Sequence, residues 1–144
     1  MKTKKPLQKY TARAKLLQNK YGGNKFMKYQ EWLEEWLESY TKISTKFRTY
    51  KRYTEIVHQH IVLRLSDKEM KELTPLDFQH FVTYLLKSGN ARTKQGLSAN
   101  TVNSIITVVQ NSLKIAFMLG YVDSYVGDKL NALKLMTNQL NVLL

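Results

Sequence analysis

Apolar side chains recur at steps of three and four through most of this chain, a spacing that predicts helices rather than strands. The pattern is sharpest after Phe26. Tyr29, Trp32, Leu33, Trp36, Leu37 and Tyr40 fall on one helical face, and Glu31, Glu34, Glu35 and Glu38 on the other. This predicts a first core helix that is acidic outside and faces away from any polyanion. Ser44 and Thr45 suit the cap of a second helix, with Phe47, Tyr50, Tyr53, Val57 and Ile61 as its buried stripe.

Thr74-Pro75-Leu76-Asp77 opens a third helix: a hydroxyl cap, Pro at the first helical position, and an acid where the helix dipole favours it. Phe78, Phe81, Val82 and Leu85 form its stripe, and Ser88-Gly89-Asn90 ends it before a polar, basic loop at 91–96 that is expected to be mobile. Ser98 caps a long fourth helix with Val102, Ile105, Ile106, Val109, Leu113, Ala116 and Phe117 inward and Gly120 as its stop. At the other end of the chain, Leu7, Tyr10, Ala14, Leu17 and Tyr21 keep the same spacing between Pro6 and Gly22-Gly23, so the first 25 residues read as a basic arm with an amphipathic helix.

Composition narrows this to one folded body. The 144 residues are 43% hydrophobic, with six Gly and two Pro, which fits an all-α bundle of four to five helices and does not fit a disordered chain. Repeats with a period of 20–50 residues are absent, excluding solenoids. Charge then points to a partner: 23 Lys and Arg against 11 Asp and Glu give +12, so the chain should seek a polyanion. Residues 1–28 hold nine basic side chains and no acid, and no acid occurs between Asp77 and Asp123.

Several chemistries are not encoded. There is no cysteine for disulfides or thiolate metal sites, in keeping with a cytoplasmic setting. The longest apolar run, Ile115 to Leu119, is far too short to span a bilayer. His58 and His60 stand two apart on a helix, point in opposite directions and cannot share a metal. Neither a glycine-rich phosphate loop, a nucleophile elbow nor a tuned carboxylate pair is visible. The expectation is a non-enzymatic chain with no cofactor, metal or small-molecule substrate.

Two surface arcs stand out. Lys46 precedes a row on the second helix made of Arg48, Lys51, Arg52, Glu55 and Gln59, a positive ridge or simply a solvated face. On the fourth helix Asn100, Asn103, Thr107, Asn111 and Lys114 share a side, with Thr101 and Ser104 adjoining. Asn, Ser and Thr are poor helix formers, so a row of them on a helix exterior implies a surface that touches something.

The order Tyr29 to Tyr40, Thr49-Tyr-Lys-Arg-Tyr53 leading to His60-Ile61, Leu73 to Phe78, then Leu97 to Val102 and Leu113 to Val122 resembles the core-binding domain of tyrosine recombinases of the phage and conjugative-transposon integrase type. The resemblance covers residues 26–125. It implies a SAM-like helical bundle that grips one face of a recombination site in double-stranded DNA, with cleavage left to a separate domain. On that reading Lys46, Arg48, Lys51, Arg52, Arg92 and Lys94 meet phosphates, with Thr49 beside them. Asn100, Thr101, Asn103, Ser104 and Thr107 meet phosphate oxygens or base edges. Self-association on DNA with a full-length recombinase is a further implied partner.

This chain departs from the family in carrying Ser124-Tyr125 where Asn-Pro is common after the fourth helix, and in lacking a three-stranded arm-binding domain in residues 1–25. The family's two catalytic arginines, His-x-x-Arg element and nucleophilic tyrosine cannot be placed. Residues 126–144 therefore read as a linker and the opening of a missing catalytic domain, and the chain as a truncated product or expressed fragment. The alternative reading is a helical protein-interaction or regulatory module. Membrane-surface binding by residues 6–21 is a third.

Overall fold

The computed structural model describes residues 27–65, 67–90 and 92–143, so the arm expected over 1–25 and Phe26 lie outside the described residues. Five long helices follow one another, and among the described residues the β-structure is a single bridge between Lys28 and Glu69. Helix α1 (29–44) runs Tyr29–Trp36, widens into a π turn at Leu37–Thr41 and closes with Lys42–Ser44. Helix α2 (47–65) is built the same way, from Phe47–Ile56, a π turn Val57–Ile61 and Val62–Leu65. A 3-10 turn, Met70–Glu72, leads into α3 (Pro75–Ser88), then α4 (Ala99–Met118) and α5 (Gly127–Leu143). The chain is the expected all-α bundle, and no helix among the described residues is long and apolar enough to cross a membrane.

The apolar face read for α1 is wholly inside: Tyr29, Trp32, Leu33, Trp36, Leu37 and Tyr40 are all buried. Burying Tyr and Trp requires partners for their polar tips, and one residue of α4 supplies both. The Tyr29 hydroxyl lies 2.7 Å from Ser112 Oγ, and Trp32 Nε1 donates to the Ser112 carbonyl at 2.9 Å. Ser112 Oγ itself donates to the Val109 carbonyl, which leaves it as the acceptor for Tyr29. Rings complete the seam. Trp32 packs between Tyr40 and Tyr121, with centroids 5.7 and 5.3 Å away, and Trp36 stacks on Tyr53 of α2 at 5.8 Å.

Start and stop signals hold where the backbone chemistry is explicit. Thr74 Oγ1 accepts from the Asp77 amide while Asp77 Oδ2 accepts from the Thr74 amide, a reciprocal cap with Pro75 at the first position. Ser98 Oγ accepts from the Thr101 amide at 3.2 Å. Gly120, at φ +82°, takes the left-handed conformation that closes α4.

Four expectations fail, each for a local reason. Ser44 and Thr45 do not cap α2: their hydroxyls turn back to the Tyr40 and Thr41 carbonyls at 2.6 and 2.7 Å, finishing α1, and Lys46 is the N-cap with no side-chain bond. Phe47 is 78% exposed, at the first position of α2 directly after its N-cap, rather than in the buried stripe. Phe117 is also largely exposed, stacked on Tyr125 rather than sunk in the core. Glu35 is buried, not on the outer face. It accepts from Ser39 Oγ, and its charge adds to burial in pushing Tyr121 up to about 12.

The apolar packing also continues past residue 125. Leu130 and Leu133 of α5 are buried against Phe78, Phe81 and Val82 of α3 and Ile106 and Val109 of α4. Gln110 fixes the entry of α5 by donating to the Gly127 carbonyl at 2.9 Å and to Asn131 Oδ1 at 2.8 Å. After α4, the Tyr125 ring stands where a Cβ on residue 127 would lie, so a larger residue there requires that ring to move.

Candidate nucleic-acid interface

The second helix is a cylinder with two differently furnished edges. On one edge His58 Nε2 meets Glu34 Oε1 at 2.5 Å and the Tyr50 hydroxyl donates to Glu38 Oε1 at 3.4 Å, so the acidic face of α1 lies along it. On the other edge the Tyr53 hydroxyl accepts from Asn111 Nδ2 of α4 at 3.5 Å. Residues of an α-helix advance by about 100° each, which places Arg48 and Arg52 on the ridge between these edges. Thr49 is turned toward α4, whereas Lys51 is turned toward the acids of α1. Lys46, Arg48, Lys51 and Arg52 are all exposed and Thr49 is half-buried. The ridge is not purely cationic, since exposed Glu55 sits within it.

The polar row of α4 starts at its cap and passes the Tyr53 contact. Asn100 and Asn111 are exposed, and Thr101, Asn103, Ser104 and Thr107 are half-buried. Three of the hydroxyls have local bonds. Thr101 Oγ1 is 3.0 Å from Ser98 Oγ, Ser104 Oγ donates to the Asn100 carbonyl at 3.1 Å, and Thr107 Oγ1 donates to the Asn103 carbonyl at 3.0 Å. With their protons committed to the helix, Ser104 and Thr107 present lone pairs outward. That suits an amino group or ammonium and does not suit a phosphate oxygen.

Thr107 already has such a donor. Lys134 Nζ of α5 lies 2.7 Å from its Oγ1 and brings a cation to the middle of the row. Sequence reading did not single out Lys134. Its signal was the spacing Leu130, Leu133, Thr137, which are all buried and make Lys134 the flanking residue of a packed helix face.

Arg92 and Lys94 are exposed in the connection between α3 and α4. Their loop is closed by its own hydrogen bonds: Asn90 Oδ1 accepts from the Arg92 and Thr93 amides, the Asn90 amide donates to Gln95, and the Lys94 amide donates to Asn90 at 2.7 Å. Lys94 is held at φ +62°, an uncommon value for a residue with a Cβ. It lies near Gln59, the last member of the α2 row, across a cleft. Among the described residues no group of three or more His, Asp or Glu is placed to hold a metal ion.

Residues 28–86 match the family model of the phage integrase N-terminal SAM-like domain. The matched segment takes in α1, α2 and nearly all of α3, and the polar row of α4 lies beyond it. No curated protein and no solved structure matches the chain significantly.

Proposed function

We propose that this chain, whose residues 28–86 match the model of the phage integrase N-terminal SAM-like domain, binds duplex DNA as the non-catalytic core-binding part of a tyrosine recombinase. The observation that carries the reading is the order of surfaces around α2: acids of α1 on one edge, Arg48 and Arg52 on the crest, and the amide and hydroxyl row of α4 on the other edge, joined through Tyr53 and Asn111. A duplex lying on the crest and the α4 side meets cations for its phosphates and neutral donors and acceptors for its base edges. The carboxylates of α1 face away from it.

On this reading Lys46, Arg48 and Arg52 contact phosphates and Thr49 lies beside them. Lys51, turned toward the acids of α1, contributes least. Asn100, Thr101 and Asn103 read or position bases, while Ser104 accepts from an exocyclic amine. A titration of the full chain with duplex DNA across a salt series tests it. The three phosphate contacts of Lys46, Arg48 and Arg52 alone give a log–log slope of about −3, each further contact steepens it by about 0.9, and a flat response removes the reading.

Exposed Ile43 and Phe47, at the junction of α1 and α2, favour a second reading in which a protein partner docks at that corner. Phe47→Ser separates the two, because it leaves duplex affinity unchanged if the corner serves only a protein.

A further inference from the structure

Beyond the ridge, α2 ends against a cleft of about 310 Å3 shared with the last turns of α3 and the loop after it. His60, Arg64 and Lys94 line this cleft, and no carboxylate does. The nearby acid, Asp77, is engaged elsewhere by Lys68 at 3.2 Å. Among the described residues neither Arg64 nor Lys94 has an ion-pair partner. The two residues are anchored differently, Arg64 by its side chain and Lys94 by its backbone. The Arg64 guanidinium sits 3.5 Å from the centroid of the Tyr84 ring, and Lys94 springs from the hydrogen-bonded loop described above.

We infer that this cleft is a phosphate site, in which one phosphate group sits between Arg64 and Lys94. An acid-free concavity with two unpaired cations concentrates positive potential at a point, as a solvated surface charge would not. The phosphate comes either from the backbone of a bound duplex or from free phosphate. The first source rests on the DNA reading above. It is the one the layout favours, because Gln59 is both a wall of the cleft and the end of the row that begins at Arg48, about 16 Å away along the helix. Leu63, 70% exposed at the cleft, offers an apolar contact to the adjoining sugar.

The test uses the full chain and the double variant Arg64→Gln/Lys94→Gln, after thermal melts establish that both fold alike. In the DNA arm, the double variant's salt slope is expected to be shallower by about two, one for each cation. In the free-anion arm, inorganic phosphate should move the amide NMR signals of Gly89 and Lys94 in the parent and not in the variant. A changed slope alone identifies the duplex backbone as the source, and phosphate-dependent shifts alone identify free phosphate. An unchanged slope together with unmoved signals overturns the site. If Arg52→Ala lowers affinity while the double variant does neither, the cleft is refuted and the DNA reading stands. If the parent does not bind DNA at all, the NMR arm by itself decides the cleft.

Discussion

Lys134 donates to Thr107 Oγ1 across 2.7 Å, so the last helix of the bundle sets an ammonium group on the polar row of α4. Lys134→Gln should keep a hydrogen bond at this point and remove the charge. If the row faces a duplex, the slope of affinity against salt becomes shallower by about 0.9, with the melting temperature little changed. A fluorescence anisotropy series at several salt concentrations measures it.

Arg52 and Asn103 should part company. Arg52→Ala removes a crest cation and weakens binding to every duplex alike, whereas Asn103→Ala weakens the cognate site by about 1–3 kcal/mol and leaves non-specific binding unchanged. Competition between cognate and scrambled duplexes separates the two effects. Equal behaviour of both variants and the parent would mean that another face binds.

Ser112→Ala strikes the seam between α1 and α4. The bond from Trp32 goes to a backbone carbonyl and survives, but the buried Tyr29 hydroxyl loses its acceptor. The expected cost is about 1–3 kcal/mol in urea unfolding. Tyr29→Phe in the same background should recover part of it, since an apolar pair leaves no group unsatisfied.

The cap of α3 predicts an acid-sensitive term in stability. The Thr74 amide, followed by Lys68 and the Thr74 hydroxyl, holds the Asp77 carboxyl below its ordinary pKa. A depressed folded-state pKa means the contribution is present above the unfolded value and is lost as pH falls through the folded one. Melts between about pH 5 and 2 should therefore drop more steeply for the parent than for Asp77→Asn, with the difference vanishing at the acid end.

Much of the bundle was legible because the signals were local. The stripe of α1, the Thr74–Asp77 cap, the Ser98 cap and the Gly120 stop each depend on residues within a turn or two of one another. The misreadings arose where tertiary geometry decides. Phe47 continues the apolar spacing of α2 and yet is exposed at the helix's first position. Glu35 belongs by spacing to the outer face of α1 but is covered in the folded body. Lys134 and Arg64 gained their interest only from what stands opposite them, Thr107 in one case and Tyr84 in the other. The polar row of α4 was visible as a row, but the direction of its hydroxyl protons was not.

The π turns at Leu37–Thr41 and Val57–Ile61 each hold one residue more than regular winding would need. Five residues of π winding turn the chain about as far as four of α winding, so deleting a single residue from the first would restore ordinary winding and leave the phase of everything after it in α1 nearly unchanged. The hinge into α2 would keep its direction, and the cationic crest its aim. Where those arginines point is thus insulated from a one-codon loss at that turn, the place in α1 where the chain has a residue to spare.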